Sequence, residues 1–143
     1  AFGQSFVQLL YILHHLGLLE NGFKQYLQDA IALLDSEEEA IKTQAKEIAE
    51  KLNGKIPVIY SDAKFEGVSI RFRQQINENS KMLCWHHVLP EMNHNELVGW
   101  RDEAQDKVVI ILRSKNDFDR VQARVEINKK IIAKRRVICE YSY

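Results

Sequence analysis

Apolar residues open the chain at helical spacing, with Phe2, Phe6, Leu9, Leu13 and Leu16 on one side of a helix over 1–16. After Gly17, a helix stop, Phe23, Tyr26, Leu27, Ala30, Ile31 and Leu34 repeat the pattern. Ser36-Glu37-Glu38-Glu39 has the form of a capping box with an acidic first turn, so a third helix is expected through Ile41, Ala45, Ile48 and Leu52 to Gly54. Beyond Gly54 the pattern changes. Ile56–Tyr60, Leu83–Val88, Val108–Leu112 and Val137–Glu140 are short apolar runs, and Val108–Leu112 has the unbroken character of a central strand covered on both faces. Pro57 is tolerable only near the start of its strand or at a sheet edge. Between the strands the spacing predicts a helix from about Phe65 to Lys81, with Phe65, Val68, Phe72 and Ile76 as its buried stripe. A last helix from Phe118 to about Lys134 is expected, capped by Asn116 and Asp117. Alternating helices and strands with covered apolar strands predict a three-layer α/β/α sandwich with a parallel sheet, flavodoxin-like, preceded by a helical connector. Ligand sites in such sheets lie beyond the carboxyl ends of the strands.

Composition narrows the class. The chain has 143 residues, the size of one domain or of half a two-lobed protein, with 20 Lys plus Arg against 20 Asp plus Glu. That balance gives no field to attract nucleic acid or an anionic membrane. The one basic cluster, Lys129, Lys130, Lys134, Arg135 and Arg136, lacks interleaved aromatics and reads as cations at a helix carbonyl end. Cys84 and Cys139 lie in apolar strand-like runs and are expected as buried free thiols in a reducing compartment. No run approaches a membrane span and no leader is recognisable, which points to the cytoplasm. No metal or nucleotide motif occurs, and no cofactor is expected. His14 and His15 are adjacent and cannot chelate one metal; they read as partners of their helix's carbonyl end. His86 and His87 point to opposite faces of their strand.

The chemistry concentrates between Ile70 and Trp100. Glu78 falls on the same helix face as Arg71, Gln74 and Lys81, in the last turn, where the carbonyl end disfavours a negative charge and so favours taking up a proton. It is either a base or a surface carboxylate paired with Arg71 or Lys81. Asn93 with Glu96 resembles a second capping box, which would put His94 in the first turn of a short helix closing at Gly99, its imidazole kept neutral by the helix dipole. The alternative is a solvated loop histidine. The amides of Asn77 and Asn93 and the guanidinium of Arg71 are the expected substrate contacts, and Arg73 is a further cation available to an anionic ligand. Both Glu78 and His94 are expected to flank one carboxyl end of the sheet.

The runs Arg73-Gln74-Gln75-Ile76-Asn77-Glu78-Asn79-Ser80-Lys81 and Leu89-Pro90-Glu91-Met92-Asn93-His94-Asn95-Glu96-Leu97-Val98-Gly99-Trp100 closely resemble the bifunctional phosphoglucose/phosphomannose isomerase family of SIS-fold sugar isomerases. Only Ser80 departs, where that family commonly has alanine. The resemblance implies that Glu78 shuttles a proton between C1 and C2 of a phosphorylated hexose through an enediolate. It also implies that His94 assists ring opening from the neighbouring subunit of a homodimer, with no metal or other cofactor. It implies a helical connector over 1–35 and a second SIS subdomain over 36–143. The family's phosphate-holding Ser/Thr-rich loop and a further arginine would lie before Ala1, and its C-terminal lysine beyond Tyr143. An alternative is a non-catalytic SIS module that binds sugar phosphate for regulation or assembly.

Overall fold

The computed structural model describes residues 2–101, 106–133 and 137–142. Its elements run α1 (Phe2–His15), α2 (Phe23–Leu52), β1 (Ile56–Asp62), α3 (Glu66–Asn79), β2 (Trp85–Leu89), α4 (Glu91–Asn95), β3 (Lys107–Arg113), α5 (Asp119–Ile132) and β4 (Val137–Ser142). Short 3₁₀ turns at Ala63–Phe65 and Leu97–Arg101 precede α3 and follow α4. The chain falls into two compact units, Ala1–Ala45 and Lys46–Tyr143, and both this division and the position expected between 35 and 36 fall inside α2.

In the first unit α1 stops where Gly17, at φ 72°, turns the chain, and His14 Nδ1 lies 2.8 Å from the Leu19 carbonyl oxygen. Phe23 is buried against the edge of the Tyr11 ring and the His14 imidazole. The expected helix start at Ser36 is absent. Residues 36–39 sit inside α2; Ser36 Oγ donates back to the Leu33 carbonyl, and Glu38 and Glu39 pair with Lys42 at 2.7 and 3.0 Å. Good helix formers on both sides carry the helix through the cap-like sequence. Beyond Phe23 and the half-buried Leu27, the second apolar stripe is exposed at Tyr26, Ile31 and Leu34.

The second unit holds the sheet, all parallel, in the order β2-β1-β3-β4. All four expected strands are present, and β3 is central and fully buried from Val108 to Leu112. Pro57 is the second residue of β1, itself an interior strand, so position near the strand start is what makes it tolerable. The two sheet faces bury different neighbours. Ile59, Ile110 and Cys139 meet Ile76 and Phe72 of α3 with Ile48 and Leu52 of α2. Val58, Tyr60, Val109 and Ile111 meet Met92, Trp100 and the α5 residues Val121, Val125 and Ile132. That is the expected three-layer sandwich, with the order reversing at β1.

Details of α3 and α5 differ from the expectation. Val68 is 52% exposed while Ser69 is fully buried, its Oγ 2.8 Å from Ser61 Oγ, so the buried stripe runs Ser69, Phe72, Ile76. Asp117 does not cap α5; its carboxylate accepts from the Ser114 backbone N–H and closes the loop after β3. Lys129 of the basic cluster pairs with Glu140, which also holds Arg113; Lys134, Arg135 and Arg136 lie outside the described residues. Burial alone would raise the Glu140 carboxyl, but the two cations outweigh it and hold it below its ordinary value. Both cysteines are buried and free, and burial pushes the Cys84 thiol up to about 11.

Candidate functional site

Glu78 occupies the last turn of α3 and is exposed, as its face predicts. Just past it Lys81 adopts a left-handed φ of 56°, and its Nζ donates to the Glu78 carbonyl at 2.5 Å. Lysine thus answers the peptide end of the helix. The Asn77 Nδ2 donates to the carbonyls of Met82 at 2.8 Å and Cys84 at 3.5 Å. It pins the loop that leads into β2. Arg71 is half-buried on α3.

His94 sits on α4, and its surroundings correct the capping-box expectation. Pro90 is the N-cap and Glu96 the C-cap, so Asn93 lies inside the helix and His94 in its last turn. The first-turn dipole argument for a neutral imidazole therefore lapses. The side chain of Glu96 is drawn away by β1: Tyr60 Oη donates to Glu96 Oε2 at 2.8 Å and accepts from Trp100 Nε1 at 3.0 Å. Burial pushes the Tyr60 phenol far above the ordinary range, with the Glu96 hydrogen bond and charge adding to it, so the group is a neutral donor. Asn93 donates to Asn128 Oδ1 at 2.6 Å, and Asn128 Nδ2 reaches Met92 Sδ at 3.5 Å. The Asn93 Oδ1 is buried without a hydrogen-bond partner among the described residues. His94 itself is exposed between these ties.

The expected meeting of Glu78 and His94 at one strand end does not occur within one chain. A helix that follows a strand in a parallel sheet runs back toward the strand's amino end, so the last turn of α3 lies beside the start of β2. His94 comes after β2 has crossed the sheet. The five residues of β2 alone put roughly 17 Å between those levels. His86 and His87 do face opposite ways, in register with Ile59 and Tyr60 respectively, and burial lowers the His86 pKa, as does Arg73.

Two open depressions lie on the α4 and α5 side. One of about 440 Å³ sits at the carboxyl end, lined by Pro90, Phe118, Arg120 and Arg124 among others. The second, about 340 Å³, is lined by Tyr60, Trp85, Glu96, Gly99, Trp100 and Lys107. Neither takes in Glu78 or His94. Among the described residues no group of three or more His, Cys, Asp or Glu side chains is arranged to hold a metal, and no helix is long and apolar enough to cross a membrane.

Residues that sequence reasoning missed are Tyr60, Met92 and Asn128. Their one signal is a hydrogen-bonding group set in an otherwise apolar strand or stripe, for Tyr60 and Asn128; Met92 gave none.

Residues 41–141 match the family model described as the bacterial phospho-glucose isomerase C-terminal SIS domain. A bifunctional phosphoglucose/phosphomannose isomerase of Aquifex aeolicus is 42% identical over 111 residues, which are 76% of this chain and 35% of that protein. One of the same name from Caldicellulosiruptor bescii is 32% identical over 145 residues, 92% of this chain and 42% of that protein. The chain thus spans well under half the length of these relatives. A solved structure from Salmonella typhimurium LT2, provisionally named a sugar-binding protein, shares the fold with a TM-score of 0.62 at 14% identity, over 87% of this chain and 38% of its own. With most of its length matched and its α/β sheet in place, the chain belongs to the family of bacterial phospho-glucose isomerase C-terminal SIS domains.

Proposed function

We propose that this chain serves an aldose–ketose isomerase of phosphorylated hexoses, interconverting glucose 6-phosphate or mannose 6-phosphate with fructose 6-phosphate. The Glu78 carboxylate removes the proton from C2 of the open-chain aldose, the electron pair forms the enediolate with the charge on O1, the hydroxyl proton passes from O2 to O1, and the same carboxyl returns its proton to C1, leaving the carbonyl at C2. His94 moves the proton between the C1 hydroxyl and the ring oxygen as the ring opens. The active form is a cytoplasmic homodimer in which His94 completes the site of the neighbouring subunit.

The observation that carries this reading is that both motif residues are exposed and stand at opposite ends of β2. Two exposed groups that one chain holds apart are what a site shared between two copies requires. Named relatives that isomerise phosphoglucose and phosphomannose support the substrate class.

The test is a coupled assay of fructose 6-phosphate conversion to glucose 6-phosphate, run on this chain and on the full-length product of its gene. Turnover by the full-length protein is the expected result. Absence of turnover in both, with sugar phosphate still bound, would replace this reading with a non-catalytic SIS module that senses the ligand or assembles subunits.

A further inference from the structure

The helix that carries His94 has five residues, too few to be stable by itself, so contacts with the rest of the fold decide where the imidazole stands. Three ties are visible. Met92 is wholly buried beneath the helix; Asn93 is bound to Asn128 of α5; and the carboxylate of Glu96, two residues after His94, is bound to Tyr60 of β1. Of these only the last lies on the C-terminal side of His94, where Leu97 and Trp100 also pack into the core. Tyr60 holds Glu96 from a rigid place, because β1 is an interior strand paired on both sides and Tyr60 is 2% exposed. Its hydroxyl is used in both directions, donating to Glu96 and accepting from Trp100, so one oxygen joins the two ends of the segment that follows His94. The Trp100 ring stands nearly perpendicular to the Tyr60 ring at 6.4 Å, which fixes the phenol from the other side.

We propose that Tyr60 is a positioning residue for His94: through Glu96 and Trp100 its hydroxyl sets the direction in which α4 presents the imidazole to the neighbouring subunit's site. This rests on the isomerase reading above. Tyr60 never meets substrate in this account. It acts at a distance by removing the freedom of a one-turn helix. An ångström of misplacement at a reacting group is enough to slow a step by about 100-fold.

The test uses the full-length gene product and four proteins: wild type, Tyr60→Phe, His94→Ala and the double variant. Phenylalanine keeps the ring in the core and deletes only the shared oxygen. Tyr60→Phe is expected to lower kcat between about 10- and 100-fold with KM nearly unchanged, while the melting temperature falls by only a few degrees. In the double variant kcat is expected to be no lower than in His94→Ala alone, because a residue that acts only through His94 has nothing left to position. Should Tyr60→Phe fail to fold, Glu96→Ala, which deletes the acceptor of the Tyr60 hydroxyl, replaces it with the same expectation. Multiplicative losses in the double variant, or an unchanged kcat in Tyr60→Phe, would overturn the positioning role alone. Full turnover by His94→Ala would instead remove the role of His94 on which it stands.

Discussion

The carbonyl end of α3 and the turn built on α4 each present one exposed candidate residue, and they support it by different means. Glu78 rides on a 14-residue helix whose other face is packed on the sheet, and the chain after it is pinned locally, by Asn77 five residues before Met82 and by Lys81 three residues after Glu78. His94 rides on a five-residue helix held by residues 35 and 36 positions away in the sequence, Asn128 and Tyr60. One support is local and the other depends on the finished tertiary fold. In the proposed reaction the carboxylate that shuttles the proton gains from the rigid lever of a long helix, and the group that would complete another subunit's site depends for its aim on long-range ties.

The largest effects concern the chemistry at the two ends. Glu78→Gln keeps shape and cannot carry a proton, so kcat in the full-length protein is expected to fall by about 100- to 10,000-fold with sugar-phosphate binding and melting temperature nearly unchanged. Retained turnover would end the assignment. The separation of the two residues sharpens this into a mixing experiment. Glu78→Gln and His94→Ala proteins, each impaired alone, are dissociated and reassociated together. If one subunit lends His94 to the other's Glu78, half of the dimers are mixed and each mixed dimer has one intact site, so about a quarter of wild-type activity returns. If no activity returns, the two groups do not meet between subunits.

Stability distinguishes the supports next. Met92→Ala empties a site that is wholly buried beneath α4, and urea unfolding is expected to show a loss of about 2–5 kcal/mol. Asn77→Ala removes a local tie at the other end and is expected to cost about 1 kcal/mol. Equal losses would mean that the two ends do not differ in the way their support is built.

The same contrast explains what could be read from sequence. Strands β1 to β4 were legible because each is a compact apolar run, and β3 most of all because nothing polar interrupts Val108–Leu112. The last turn of α3 was legible as an exposed carboxylate because its support is local. What misled was short-range pattern answered at long range. Asn93 and Glu96 have the spacing of a capping box, yet Asn128 claims one side chain and Tyr60 the other, and neither partner is visible from residues 93–96. Ser36 with its three glutamates has the same spacing, but the helix-forming residues before it do not release the backbone. The placement of Glu78 and His94 at opposite ends of β2 was implicit in the strand–helix–strand order. A helix between two parallel strands must return to the amino end, so a residue in its last turn and a residue after the next strand cannot share an end.

The smallest expected effect separates the two supports by pH. The Tyr60 phenol is protonated more tightly in the folded protein than in the unfolded chain, because burial and the Glu96 carboxylate both raise its pKa. A group raised in this way contributes stability that is fully present below the unfolded tyrosine value of about 10 and is lost as pH rises beyond it, since the unfolded chain releases the proton first. Asn77 does not titrate. The stability difference between wild type and Tyr60→Phe, measured by urea unfolding, should therefore be constant from pH 7 to about 9 and shrink above about 10. The difference between wild type and Asn77→Ala should stay level over the same range. A Tyr60→Phe difference that does not change with pH would mean that the phenol is not held as a buried neutral donor, and that the turn carrying His94 is fixed by Met92 and Asn93 without it.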